Sequence, residues 1–234
     1  MRAFILAGIS FILLAFAVAG DATASAIHAE ETAPLPGMSL FGVASADTYL
    51  LTQVDASGAI ERWYAVLLRH KKDNAFASGN DSMSRPVRRQ WEALKAKIPA
   101  MSALKRLRAV NAFFNQVPSK SDLDNYGEEE YWAIPAEFMR KYSGDCDDIA
   151  IAKYLALRHV NWPQNDLWLV LVRDVPHKAG HAVVAARSDG QIFILDNLNR
   201  PKDRLVPHEK QAALYRPLLA LNETTVWVFP ATHN

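Results

Sequence analysis

The spacing of apolar residues is helical in the first half of the chain. From residue 85 to 117 they recur every three or four positions, as on one face of a helix that is interrupted near its middle by a proline. A short helix is predicted over Pro135–Tyr142, which has proline in its first turn. A longer helix is predicted from Gly144-Asp145 to about His159. It is apolar on almost every side except at Lys153, so we expect it to be buried.

The second half of the chain has the shorter apolar runs that are typical of strands. Each run is rich in branched or aromatic residues and is bounded by turn residues. The runs are Leu167–Val172, His181–Arg187, Gln191–Leu195 and Thr225–Phe229. Ser188-Asp189-Gly190 is typical of a hairpin turn between the middle two. Helices followed by strands predict an α+β fold, with helices packed on an antiparallel sheet. Residues 40–84 show no clear pattern, and we predict no element there.

The N-terminus has the organisation of an export signal. Arg2 precedes an apolar stretch without charge from Ala3 to Ala19, and Ala24-Ser25-Ala26 has the form that signal peptidase cleaves. We therefore predict a signal peptide over residues 1–26, a flexible leader over 27–39 and a single domain over 40–234. The alternative is an uncleaved membrane anchor, for which the stretch is barely long enough.

The net charge of the chain restricts the kind of partner it can have, and its cysteine content points to one candidate nucleophile. The formal net charge is +1, which gives no reason to expect a nucleic-acid partner. The sequence contains only one cysteine, Cys146, so a disulfide framework within the chain is excluded. A lone thiol in an exported protein is either buried and inert or kept for its reactivity.

The position of Cys146 favours reactivity. It lies in the first turn of the predicted buried helix, after Asp145 as the N-cap, where backbone amides and the helix dipole favour a thiolate. The same amides suit an oxyanion that forms when the thiolate attacks an amide carbonyl. The base is predicted to be His181 rather than His177, because His181 begins a strand that fixes its direction.

The hairpin then indicates the third member of a catalytic triad. If Ser188-Asp189 forms the loop, Asp196 lies directly opposite His181. If Asp189-Gly190 forms the loop, Asp196 lies diagonally on the same face. A three-residue loop would instead place Asn197 opposite His181, so Asn197 is the reserve candidate.

These residues and their surroundings resemble one family. The order Cys, His, Asp resembles the papain-like, transglutaminase-like thiol hydrolases. Three motifs resemble, more narrowly, the bacterial transglutaminase-like cysteine proteinases, whose studied members are periplasmic adhesin proteases. The motifs are Tyr131-Trp132-Ala133, Gly144-Asp145-Cys146-Asp147-Asp148 and Leu195-Asp196-Asn197-Leu198.

The resemblance implies a periplasmic, calcium-dependent endopeptidase that cleaves a large surface adhesin and so controls biofilm release. It implies a membrane receptor able to sequester the protein, and calcium ligands among the acidic residues that flank the cysteine: Asp145, Asp147 and Asp148. Electrostatics point the same way, because these carboxylates oppose a thiolate at Cys146 and a bound cation would relieve that opposition.

Two other functions stay open at this point. One is a thiol acyltransferase or amidase, since the triad does not determine what attacks the thioester. The other is a non-catalytic calcium-binding module. Trp132 is either a residue of the core or part of the cleft, where its indole N–H would donate to the oxyanion.

Overall fold

A computed structural model describes residues 36–50, 58–199 and 201–230 of the 234-residue chain. The predicted signal peptide and most of the predicted leader lie outside these residues. Within the described ranges, none of the helices combines the length and the apolar character needed to cross a membrane.

Six α-helices precede most of the sheet. They are α1 Gly58–Lys72, α2 Arg85–Lys97, α3 Ala103–Phe114, α4 Asp122–Tyr126, α5 Pro135–Lys141 and α6 Cys146–His159. Short 3₁₀ turns occur at Ile98–Ala100, Gln164–Asp166 and His208–Gln211. The first of these turns contains the proline that divides α2 from α3, as the sequence predicted.

Nine strands form two antiparallel sheets in the described residues. They are β1 Ser39–Leu40, β2 Val43–Ala44, β3 Asp47–Leu50, β4 Leu167–Asp174, β5 Ala179–Ser188, β6 Gln191–Leu195, β7 Leu205–Pro207, β8 Tyr215–Leu221 and β9 Thr225–Val228. Strands β1 and β2 pair with each other, and the other seven form one sheet in the order β3-β9-β8-β4-β5-β6-β7. The predicted α+β fold, with helices on an antiparallel sheet, is confirmed.

The central helix α6 is the most buried element of the helical layer. Ten consecutive residues, from Asp148 to Leu157, are buried, and the helix packs mainly on β5. Burial on all sides follows from the apolar sequence, since a helix surrounded by protein has no need of a polar face. Lys153 is included in this run and is only 1% exposed.

The hairpin between β5 and β6 follows the second of the two predicted two-residue registers. Ser188 pairs with Gln191, so Asp189-Gly190 forms the loop. Both loop residues have positive φ, 50° and 77°, as the tight hairpin turn requires. The three-residue loop that would have favoured Asn197 is not formed.

Candidate active site

Cys146 is the first residue of α6, and it lines an open cleft of about 350 Å³. The wall of this cleft is built from Arg62 of α1, the segment around Trp132, the start of α6, and the strands β4, β5 and β8. The nucleophile candidate is therefore held by a rigid, buried helix while its thiol faces a space that a substrate can enter.

The surroundings of Cys146 oppose its ionisation. Burial raises the pKa of the thiol to about 12, and the carboxylates of Asp147 and Asp145 add to the rise. Hydrogen bonds from the amides of Ala182 and of Cys146 itself act in the opposite direction. The Ala182 amide belongs to β5, so this contact also places the thiol beside the residue that precedes Ala182, His181.

His181 lies on β5 and is bound to Asp196. The ring atom Nε2 is 3.0 Å from Asp196 Oδ1, and both side chains are buried. His181 also lines the cleft that contains Cys146. Because Nε2 is engaged by the carboxylate, Nδ1 is the ring nitrogen left to exchange a proton with the thiol.

Asp196 follows directly after β6 and is held by several donors. Its carboxylate accepts hydrogen bonds from the Leu198 amide at 2.9 Å and from the Tyr215 hydroxyl at 2.7 Å. Burial alone would raise the pKa of Asp196, but the hydrogen bond and charge of His181, together with those two donors, lower it. The carboxylate therefore stays ionised and can orient the imidazole.

Tyr215 is a contributor that the sequence did not suggest. It lies at the start of β8, donates to Asp196 and packs against the His181 ring with centroids 5.8 Å apart. Because β8 pairs with β4 across the sheet, this contact depends on tertiary structure that local pattern does not reveal.

A cluster of three acidic side chains adjoins the cleft through Asp145, which belongs to both. Ligand atoms of Asp122, Asp145 and Asp148 all lie within 4.8 Å of one another. In each of these carboxylates one buried oxygen has no hydrogen-bond partner among the described residues: Oδ1 of Asp122, Oδ1 of Asp145 and Oδ2 of Asp148. The same holds for Oδ1 of Asp147. Clustered carboxylates that have orphaned buried oxygens suit a hard cation such as calcium, which takes oxygen ligands.

Burial raises the pKa of two of these acids, to about 8 for Asp148 and about 6 for Asp122, with the charge of Asp145 contributing to both. Backbone amides act in the opposite direction: Ala133 donates to Asp148 Oδ1 and Tyr131 to Asp122 Oδ2, both at 2.8 Å, and the Asp145 backbone also lowers the pKa of Asp148. These amides do not offset the effect of burial on either carboxylate, since both pKa values stay raised.

Close backbone contact brings Asp122 to this group. Residue Ser119 forms a parallel bridge with Gly144, and the Gly144 amide donates to the Pro118 carbonyl. Gly144 has no room for a side chain, because an added Cβ would lie 2.5 Å from Asp148 Oδ2 and 2.7 Å from Phe138. The glycine is thus needed for Asp148 to occupy its position.

The three ligands predicted from the sequence do not form a single group. Asp145 and Asp148 meet at Asp122, whereas Asp147 joins Asp145 and the Cys146 thiol in a different cluster. Burial and the neighbouring Asp145 and Asp148 charges raise the pKa of Asp147 well above its usual value. Asp122 was missed because it lies between the predicted helices over 85–117 and Pro135–Tyr142, where we predicted no element. Ser121, which accepts a hydrogen bond from the Asp124 amide as a helix N-cap does, was the available signal.

Trp132 belongs to both the core and the cleft. It is 4% exposed, packs in the main hydrophobic cluster and also lines the cleft. Helix α1 secures it: the Arg62 guanidinium lies 5.4 Å from the ring centroid, and Arg69 donates to the Trp132 carbonyl. The residues on either side of Trp132 donate to the acidic group, so one segment connects the cleft with that group.

The fold of this chain is similar to that of known structures. Structures of Legionella pneumophila LapG are similar to the chain. One is 23% identical and covers 70% of this chain and 87% of its own, with a TM-score of 0.53. The calcium-bound form is 23% identical, with coverages of 72% and 90% and a TM-score of 0.55. An EGTA-treated form is also similar, at 23% identity and a TM-score of 0.53. At this level of identity the likeness shows a shared fold.

A search of the curated proteins finds no match. The model of one family, the bacterial transglutaminase-like cysteine proteinases, matches residues 82–229, which include Cys146, His181 and Asp196. Since the match spans more than half of the sequence, the chain belongs to the bacterial transglutaminase-like cysteine proteinases and is a cysteine peptidase.

Proposed function

We propose that the protein is an exported, calcium-dependent endopeptidase that uses Cys146, His181 and Asp196 as a catalytic triad. One observation carries the proposal: a thiol at a helix N-terminus shares a cleft with a histidine whose far nitrogen is bound to a buried, ionised aspartate. This is the set of contacts that a papain-type mechanism requires.

In the proposed reaction His181 Nδ1 takes the proton of the Cys146 thiol, and the thiolate attacks the carbonyl carbon of the scissile peptide. The amides at the start of α6 stabilise the oxyanion that forms. The imidazolium then gives its proton to the departing amine, which leaves a thioester. Water, deprotonated by the same histidine, hydrolyses the thioester and releases the thiol.

Calcium completes the site in this proposal. The ligands are Asp122, Asp145 and Asp148, and the bound ion supplies the positive charge that offsets the carboxylates around Cys146. Support comes from the orphaned oxygens of this chain and from the calcium-bound form of the similar Legionella protein. Asp147, which the sequence also suggested as a ligand, is assigned here to the thiol's own surroundings.

The proposed substrate is a large cell-surface adhesin, and the proposed location is the periplasm, with a membrane receptor as a partner. These assignments rest on the resemblance of the sequence motifs and on the export signal predicted over residues 1–26. Together they propose a biological role for the peptidase activity, which is the control of attachment and biofilm release.

The triad is tested by single substitutions in the calcium-loaded protein, with peptides of the candidate adhesin as substrates. Cys146→Ala and His181→Ala should each abolish cleavage. Asp196→Ala should leave a remnant, because the carboxylate orients the base and does not itself react. Cleavage that persists in Cys146→Ala protein would exclude the thiol mechanism, and cleavage unchanged in EGTA would exclude the calcium requirement.

A further inference from the structure

The most unusual side chain outside the triad is Lys153. It lies seven residues after Cys146 on α6, about two helical turns deeper in the protein, and is 1% exposed. Lysines are almost never fully buried unless they are paired. Among the described residues, no carboxylate oxygen lies within ion-pair distance of its amine.

Within the described part of the chain, the one hydrogen bond of this amine leads to the triad. Nζ lies 3.5 Å from the carbonyl oxygen of Leu195, the residue directly before Asp196. This is a long contact for a group with three donors. Asp196 is also the one charge that acts on the amine strongly enough to oppose the effect of its burial, which lowers the pKa of Lys153 to about 7.

Two side chains contact the backbone of the Leu195–Asp196 turn, which follows β6. Lys153 on α6 contacts the Leu195 carbonyl, and Asn115, which follows α3, donates to the Asp196 carbonyl at 3.0 Å. Only the lysine adds a charge. The charge that acts on the lysine is that of Asp196, and His181 on β5 and Tyr215 on β8 in turn form hydrogen bonds with Asp196.

A hydrocarbon side chain of the same length would fill this space without the cost of burying a charge, and such replacements are often neutral or stabilising. The presence of a lysine therefore calls for a role other than packing. We propose that Lys153 is a positioning residue of the triad, which fixes the Leu195–Asp196 turn and whose charge balances the buried Asp196 carboxylate. This inference rests on the proposed triad.

The test compares Lys153→Met with the intact protein, both loaded with calcium, and follows alkylation of Cys146 by iodoacetamide across pH. Removing a nearby positive charge raises the pKa of each acid in the triad. We therefore expect the acid limb of the rate profile to move to higher pH by about half a unit or more. Lys153→Arg should keep the limb in place. Tyr154→Phe, which removes a buried hydroxyl from the next residue of α6, is the control for disturbance of the helix.

Two further readouts separate this role from a structural one. Thermal unfolding of Lys153→Met should occur at the same temperature as in the intact protein or higher. In an Asp196→Asn background the lysine substitution should move the acid limb less than it does in the intact protein, because its partner is gone.

The inference would be overturned if the acid limb of a folded Lys153→Met protein did not move, or if it moved equally in the intact and the Asp196→Asn backgrounds. Failure of the proposed function looks different: Cys146 of the intact, calcium-loaded protein would then react no faster than in a denatured control.

Discussion

At the residue scale, the proposed calcium site depends on which carboxylates lie close enough together to share a cation. Asp122, Asp145 and Asp148 form one cluster of carboxylates, while Asp147 clusters with Asp145 and the Cys146 thiol. The sequence does not distinguish Asp145, Asp147 and Asp148 as ligands, because the direction of each side chain depends on where α6 begins. A fourth acid that lies more than twenty residues upstream is beyond any local pattern.

This arrangement predicts different effects for two isosteric substitutions. Asp122→Asn should weaken calcium binding about tenfold or more, because it removes a charged ligand. Asp147→Asn should change calcium affinity by no more than about threefold but should ease ionisation of the nearby thiol. Isothermal titration calorimetry with calcium gives both affinities. If Asp147→Asn weakens binding more than Asp122→Asn, the ligand set proposed here is wrong.

At the element scale, much of the site could be predicted because two elements carry it. The start of α6 fixes Cys146, and the β5–β6 hairpin brings His181 and Asp196 together once its register is known. The apolar run of α6 and the turn residues of the hairpin are local signals, which is why both were predicted.

The elements that were missed had weaker or non-local signals. Helix α1 buries Ile60, Trp63 and Val66 at helical spacing, but this pattern lies in a region where we predicted nothing. Strand β8 contains Pro217, which interrupts strand patterns, and it has a bulge at Leu218, where its pairing with β4 shifts by one residue. Tyr215 was therefore out of reach of sequence reasoning.

Contact between elements also predicts the effect of Gly144→Ala. The added methyl would meet Asp148 Oδ2 and Phe138, so we expect a loss of about 1–3 kcal/mol in stability and weaker calcium binding. Gly37→Ala is the control, since its nearest contact would be an ordinary 3.6 Å from Ser45. Urea unfolding with and without calcium measures both effects. Wild-type stability and affinity in Gly144→Ala would show that the close packing has no energetic role.

At the scale of the whole molecule, the buried acids link stability to pH and calcium. The pKa values of Asp148 and Asp122 are raised to about 8 and about 6, so the folded state binds these protons more tightly than the unfolded chain does. Their contribution to stability is therefore lost as pH rises from about 4 to about 8.

Calcium should reverse this loss, because it binds the ionised carboxylates. We predict that the rise in unfolding temperature caused by calcium grows between pH 5 and pH 8, as measured by scanning calorimetry. Magnesium, which resists dehydration, is the matched control and should give a smaller rise. If calcium raised the unfolding temperature equally at pH 5 and pH 8, its binding would not depend on ionisation of Asp148 and Asp122.

The central claim is that Cys146 is a nucleophile whose thiolate becomes accessible when calcium occupies the neighbouring acidic group. Burial and the carboxylates of Asp147 and Asp145 hold the pKa of the thiol near 12 in the absence of a cation. The most direct measurement is the rate of Cys146 alkylation by iodoacetamide against pH, in calcium and in EGTA, with His181→Ala as the reference for a thiol without its base. We predict that calcium moves the curve of the intact protein to lower pH and that the reference lacks this reactive state. Curves that coincide in calcium and EGTA would contradict the account.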